Sequence, residues 1–259
     1  MIWLLQQPPI IVAPVVVIVT VALSVFGLIA FRRLTRSERF ESANDVTAQT
    51  FALAGILYAV LVAFVVVVVW EQFEDATAAT ESEANAISDL LRDSETLPPQ
   101  SREAVRRSLI AYAEDVVNDE FVRLHHGEAI EQQSDELTAI WQSYLDVQPV
   151  TQIQIAFLNE DISKLNDLGS SRKVRISSSH SGIPTELWVL LVGGGAVMLL
   201  FTYLFGTAHL AVHACSVALA GALLSFVLYL IFALEHPFVG DLSVQTYPYE
   251  HVLEAWRDG

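Results

Sequence analysis

The sequence has little cysteine and few basic residues. Cys215 is the only cysteine among 259 residues, so no disulfide can form within the chain and no cysteine-based metal site is supported. Lysine and arginine together number 14, against 30 aspartates and glutamates, which gives a formal net charge of −16. An acidic surface repels nucleic acid and anionic lipid headgroups. The composition therefore argues against a nucleic-acid-binding protein.

Motifs of common enzyme classes are also missing. The chain contains no Gly-x-Ser-x-Gly elbow, no Gly-x-x-x-x-Gly-Lys phosphate loop and no His-Glu-x-x-His motif. His209 and His213 are four residues apart, but no third ligand is evident nearby, so a packing role is favoured over a metal site. We therefore predict that the chain is not an enzyme and has no catalytic residues, no metal site and no cofactor.

Four long runs of the chain contain no Asp, Glu, Lys or Arg. They are residues 10–31, 51–70, 187–205 and 211–234. Each has the length of about 20 residues that a helix needs to cross the hydrocarbon core of a bilayer. No basic segment precedes the first run, whereas Arg32 and Arg33 follow it, and this pattern favours a retained helix over a cleaved signal peptide. The runs predict four transmembrane helices.

The segment between the second and third runs is acidic and helical in pattern. Residues 71–95 are expected to continue the second helix, and the prolines of LPPQS to end it. After this break, Val105, Leu109, Tyr112 and Val116 recur at the spacing of an amphipathic helix. The predicted fold class is all-α, a polytopic membrane protein with four transmembrane helices and a helical extramembrane insert between helices two and three. The predicted segments are a first transmembrane hairpin (1–70), the acidic helical domain (71–186), a second transmembrane hairpin (187–234) and a C-terminal tail (235–259).

Arginines after the first run predict the orientation in a cell membrane, either inner or plasma. Arg32, Arg33, Arg36 and Arg39 lie in the short loop between the first two helices. Short basic loops stay in the cytoplasm. We therefore expect the N-terminus and the acidic insert to lie outside.

The second run contains a regular pattern of its own. Ile56, Val60 and Phe64 are four residues apart, so they lie on one stripe of a helix. In a membrane helix such a stripe is typical of contact with lipid or with neighbouring helices. It also suits the lining of an apolar constriction in a pore.

Several segments resemble one family of membrane proteins, in the same order along the chain. They are Asn44-Asp45, Gly55 with LYAVLVAFVVVVVW, Glu83-Ala84, LPPQSREAVRRSLIAYAEDVVNDEF, PTELWVLLVGGGAVMLLFTYLFG and EHPFVGD. By these segments the sequence is identified as a member of the bestrophin-like family of bacteria and plants. That family is distantly similar to bestrophins, which are pentameric anion channels.

The resemblance implies an ion channel that assembles in the lipid bilayer as a homo-oligomer, a pentamer by analogy. Small inorganic ions, with chloride foremost, would pass along an axis lined by helix two. An ungapped match to the bestrophin pore neck falls on the apolar stripe of this helix. The implied site residues are Ile56, Val60 and Phe64 for the neck, and Asn44, Tyr58 and Asp241 for further pore or structural roles.

The sequence departs from the bestrophin pattern in its acidic residues and in its predicted orientation. Animal bestrophins carry a run of calcium-binding acids after Pro-Phe-Gly, whereas here only Asp241 is close and Glu250 comes later, so no calcium gate is expected. Bestrophins keep the middle domain in the cytoplasm, opposite to the orientation that the arginines predict. The carboxylates of the insert disfavour anions near a pore, which leaves cation or non-selective conduction open. The alternative function is a non-conducting membrane scaffold or sensor whose helical insert binds a partner.

Overall fold

The computed structural model describes residues 5–35, 43–207 and 209–257, and contains no strand within these ranges. Arg36 and Arg39, which contribute to the predicted orientation, lie outside them. The helices are α1 (Pro9–Leu34), α2 (Asn44–Asp93), α3 (Pro99–Asp115), α4 (Phe121–His125), α5 (Asp135–Leu145), α6 (Gln152–Ser179), α7 (Thr185–Tyr203), α8 (Leu210–Leu234) and α9 (Tyr247–Arg257), with a 3-10 turn at Ser94–Thr96 and a π-helical turn at Val116–Glu120. The predicted all-α class is confirmed.

Four of these helices are long and apolar enough to cross a membrane. The spans lie in Ile10–Leu34, Asn44–Thr96, Thr185–Tyr203 and Leu210–Leu234. They contain the four predicted runs almost residue for residue. The second is the exception, because the run at 51–70 is only the apolar part of α2, which continues without a break to Asp93.

The chain divides into two compact units. The first, here called the membrane unit, holds the described residues up to Glu71 together with Gly182–Glu235. The second, here called the insert unit, holds Gln72–Ser181 together with the described residues from His236 onward. The C-terminal segment, which sequence reasoning separated as a tail, therefore belongs to the same unit as most of the insert.

In the membrane unit, α1 packs closely against α7 and α8. Tyr203 on α7 donates a hydrogen bond from its hydroxyl to the carbonyl oxygen of Ser24 on α1, at 2.7 Å. A Cβ atom at Gly221 on α8 would lie 2.9 Å from the Ser24 hydroxyl, so the small residue permits this close approach. Leu28 and Val217 are fully buried at the same contact.

The insert unit has a large apolar core. The predicted stripe of α3 is confirmed, since Val105, Leu109, Tyr112 and Val116 are all fully buried. Alanine, isoleucine and leucine side chains of the last part of α2 join this core, as do side chains of α5, α6 and α9. The C-terminal segment contributes Phe238, whose ring lies 5.8 Å edge-on from that of Phe121.

A π-helical turn connects α3 to α4. It covers Val116–Glu120 and makes one turn wider by one residue than an α-helical turn. Val116 and Glu120 are both buried, and so are Phe121 and Leu124 beyond them. The wide turn thus brings the carboxylate of Glu120 into the core and restores apolar packing directly after it.

Candidate functional site

The exposed face of α2 in the membrane unit carries the predicted neck residues. Ile56, Val60 and Phe64 are exposed to 63%, 64% and 66% of their surface. Val67, one turn further along the stripe, is exposed to 53%. Four large apolar side chains in one row need an apolar partner, which is either lipid or another protein chain.

The opposite face of α2 is packed inside the membrane unit. Val65 and Val69 are buried, and Tyr58 is partly buried. The Tyr58 hydroxyl donates to the carbonyl oxygen of Leu191 on α7, at 2.9 Å. Tyr58, one of the candidate residues, therefore has a structural contact, and the exposed stripe does not include it.

Two consecutive glycines of α7 make room for the Tyr58 side chain. A Cβ atom at Gly194 would lie 2.9 Å from two ring carbons of Tyr58. At Gly195 it would lie 2.9 Å from the Tyr58 hydroxyl and equally close to Leu224. Gly193 differs, since its added Cβ would meet nothing within 4 Å. The triple glycine thus serves close helix contact at two of its three positions.

Asn44, another candidate residue, holds the connection between α7 and α8. Its amide group donates from Nδ2 to the carbonyl oxygen of Gly206 at 2.8 Å and accepts from the Gly206 backbone N–H at 2.9 Å. Arg32 donates from Nη2 to the carbonyl oxygen of Thr207. The end of α1 and the start of α2 are therefore both tied to one short loop.

Asp241 lies in the insert unit, where it is exposed. It lines an open cavity of about 550 Å³ together with His125, Phe238 and Glu250. Among the described residues, no group of three or more His, Cys, Asp and Glu side chains is arranged to hold a metal ion. His213, half of the histidine pair considered above, is buried with Nε2 2.7 Å from the carbonyl oxygen of Thr202.

A chain of alternating charges crosses the core of the insert unit. Glu83 on α2 binds Arg175 on α6, Arg175 also binds Glu120, and Glu120 binds Arg172. All four side chains are at most 5% exposed. Tyr112 on α3 adds a hydrogen bond from its hydroxyl to Glu83, at 2.5 Å. The two acids and two arginines balance in charge, which makes their joint burial tolerable.

Burial and charge shift the protonation of groups around this cluster. Burial raises the pKa of Tyr112 well above its usual value, and the adjacent Glu83 carboxylate raises it further. The Tyr112 hydroxyl therefore stays protonated and can donate to Glu83 at any physiological pH. Partial burial, with Glu136, Glu120 and Asp119 nearby, raises the pKa of Asp115 to about 6.

Sequence reasoning did not find the buried ion pairs. Glu83 enters the sequence prediction only through the family resemblance, and Arg172 and Arg175 are not part of it. A signal was present on α6, where Leu165, Leu168, Arg172 and Arg175 follow one another at spacings of three, four and three. Two arginines that continue an apolar stripe indicate buried charges that need buried acids.

These features together define an all-α polytopic membrane protein with an acidic helical insert. Residues 18–249 of the chain match the Bestrophin-like domain. The match covers most of the sequence, so the chain belongs to the bestrophin-like family, as its segments indicated. No curated protein matches the chain.

Solved structures share its fold. Two are crystal structures of single-substitution variants of a bacterial bestrophin homologue from Klebsiella pneumoniae. One has a TM-score of 0.71 at 15% identity, over 93% of this chain and 98% of that chain. The other has a TM-score of 0.67 at 16% identity, over 94% and 97%. At such low identity the likeness shows a common fold.

Proposed function

We propose that this protein is an ion channel formed by several copies of the chain around a central axis. The stripe Ile56, Val60 and Phe64 of each copy would line the axis and form an apolar neck. The number of copies would be five, by analogy with bestrophins. The cell membrane is the expected location, with the insert outside by the positive-inside rule.

The exposed apolar row on α2 carries this proposal. One face of the helix is held inside the membrane unit through Tyr58, Val65 and Val69, so the other face is free to meet copies of itself. Apolar constrictions gate pores by excluding water, and they need no ionisable group in the membrane. Membership of the bestrophin-like family and the fold shared with a bacterial bestrophin homologue also support the proposal of an ion channel.

Charge selectivity follows from the surface around the axis. Bestrophins, by analogy, suggest chloride and similar small anions. In the insert unit, however, α2 exposes the acids Glu74, Asp75 and Glu81, and the whole chain has a net charge of −16. Carboxylates that face a pore attract cations and repel anions. Chloride and potassium flux must therefore be measured side by side.

Liposome flux tests the neck directly. The purified chain is reconstituted beside Phe64→Ala and Phe26→Ala, with protein-free vesicles as background. Phe26 on α1 is a matched control, since it is 70% exposed in a membrane helix and undergoes the same change. We expect protein-dependent efflux that rises severalfold in Phe64→Ala and stays unchanged in Phe26→Ala. Folded, oligomeric protein that passes neither chloride nor potassium would contradict the channel.

Disulfide cross-linking tests the assembly. Cys215 is exposed on α8 and is replaced by serine, and a single cysteine is then introduced as Val60→Cys. Copies arranged around α2 bring these cysteines close together, so oxidation should link neighbouring chains. The chain that keeps only Cys215 serves as control and should link far less. Monomeric mass in detergent would count against a central pore.

The alternative is a non-conducting scaffold or sensor whose insert unit binds a partner. The exposed stripe of α2 would then face lipid, and Phe64→Ala would leave flux at background. In that case the surface of the insert unit becomes the place to search for a partner.

A further inference from the structure

A carboxylate without a counter-charge or hydrogen bond lies inside the insert unit. Asp161 on α6 has no exposed surface. Neither of its carboxylate oxygens has a hydrogen-bond partner among the described residues. A buried ion in this state is costly, whereas the neutral carboxylic acid is not. In the same unit, by contrast, the charged side chains of Glu83 and Glu120 are paired with buried arginines.

The groups around Asp161 come from three elements. Tyr144 on α5 is buried, its hydroxyl lacks a partner in the described structure, and its pKa is raised by burial and then by Asp161 and Asp93. Asp93 ends α2 and is engaged by Lys164 of α6 at 2.5 Å and by its neighbour Arg92 at 3.5 Å. Glu160 also acts on Asp161 from α6 itself. Lys164 therefore forms its ion pair with Asp93, and no cation pairs with Asp161 among the described residues.

We propose that Asp161 is a proton-binding site that makes the insert unit sensitive to pH. With its proton bound, the neutral side chain allows α5 to pack on α6. When the proton leaves, a charge is created in the apolar space beside Tyr144 and close to the charge of Asp93. The contact between α5 and the first part of α6 then loosens. This inference concerns the insert unit alone and holds whether or not the protein conducts ions.

The expected pH range follows from the charges. Burial, and next the charge of Asp93, raises the pKa of Asp161 from 3.8 to about 7, although Lys164 acts in the opposite direction. The folded chain then binds more protons here than the unfolded chain between these two values. The contribution of Asp161 to the free energy of unfolding is greatest below about pH 4, falls as the pH rises and reaches a lower level above pH 7. The switch therefore operates across neutral pH.

Hydrogen exchange of the full-length chain in detergent tests this site. Exchange is followed in peptides of α5 and of residues 152–165 at pH 6 and pH 8, after correction for the intrinsic rate. We expect exchange about tenfold faster at pH 8 in the unaltered chain, because the ionised fraction rises about tenfold between one unit below and one unit above the pKa. Asp161→Asn should remove this difference.

A matched control uses another acid on the same helix. Asp167 on α6 is exposed, so Asp167→Asn should keep the pH response of the unaltered chain. Equal pH responses in the unaltered chain and in Asp161→Asn would overturn the proposal.

Infrared spectroscopy of the unaltered chain gives a test that needs no variant. At pH 6 it should show the carbonyl band of a carboxylic acid without hydrogen bonds, which lies at higher frequency than that of partly exposed Asp115. The band should fall to about a tenth of its intensity at pH 8. Its absence at pH 6 would contradict the proposal even if Asp161→Asn failed to fold.

Discussion

Arg175 and Glu83 form a two-point ion pair that is closed to solvent. The Nε atom of Arg175 lies 2.7 Å from one carboxylate oxygen of Glu83, and Nη2 lies 3.0 Å from the other. Neither side chain has any exposed surface. The pair joins α2 to α6 in the insert unit, and the ring of Phe121 lies beside the guanidinium at 5.4 Å.

Loss of one partner should therefore destabilise the protein strongly. Arg175→Ala leaves Glu83 as a buried negative charge without a counter-charge and leaves Glu120 with Arg172 alone, for which a cost of about 3–5 kcal/mol is expected. Arg175→Lys should recover only part of this, because an ammonium group cannot make the two parallel contacts. Thermal unfolding of the purified variants measures the effect.

Arg107→Ala is the control for this prediction. Arg107 and Glu103 form an exposed pair on α3 with their charged atoms 3.8 Å apart. Such surface pairs contribute about 0–1 kcal/mol. A melting temperature that falls equally in Arg175→Ala and Arg107→Ala would show that the buried pair contributes no more to stability than the exposed pair.

The glycines of α7 give a second prediction. Gly194→Ala should push the ring of Tyr58 away and weaken its hydrogen bond to Leu191, at a cost of about 1–3 kcal/mol from overpacking. Gly193→Ala is the matched control in the same helix and should be nearly neutral, since space is open at that position. Comparable losses of thermal stability in both variants would refute the packing role.

Asn44 gives a third prediction, with a local readout. Asn44→Ala removes both hydrogen bonds to Gly206 and should cost about 1–2 kcal/mol. The Gly206 amide should exchange with solvent faster in this variant, because it loses its acceptor. Gln49→Ala changes an exposed residue of the same helix and should leave exchange unaltered. Unchanged Gly206 exchange in Asn44→Ala would contradict the contact.

Glu235 supports a fourth prediction at the end of α8. Its carboxylate accepts the backbone N–H of Ile183 at 2.9 Å and the Trp188 indole N–H at 3.0 Å. Glu235→Gln replaces one oxygen by an NH2 group, which cannot accept, so the Trp188 indole N–H keeps only the longer contact of 3.2 Å with the remaining oxygen, at a cost of about 1–3 kcal/mol. Glu186→Gln alters an exposed acid on α7 and should change neither thermal stability nor amide exchange. Thermal unfolding and the exchange of the Ile183 amide measure the difference.

The membrane spans could be predicted from sequence because the signal lies within each segment. A run of about 20 residues without charge has few alternatives to a spanning helix. The apolar stripe of α3 could be predicted for the same reason, since Val105, Leu109 and Tyr112 repeat within one segment with the period of a helix. Family membership followed from segments that keep their order along the chain.

Contacts between distant segments could not be predicted in this way. Nothing local to Asn44 indicates that it binds Gly206, 162 residues further on. The partners of Arg172 and Arg175 likewise depend on which helices meet in the folded unit. Asp161 reads as an ordinary polar position on an amphipathic helix until the packing around it is known.

The π-helical turn at Val116–Glu120 has a consequence for how relatives are compared. It adds one residue to the helical stretch, so a relative without it would be one position shorter here, and an ungapped alignment would pair the wrong residues beyond Val116. Deletion of one residue from the turn should return it to α-helical geometry and keep Phe121 and Leu124 on their buried face, whereas a deletion within α3 would rotate the residues up to the next loop by about 100° about the helix axis.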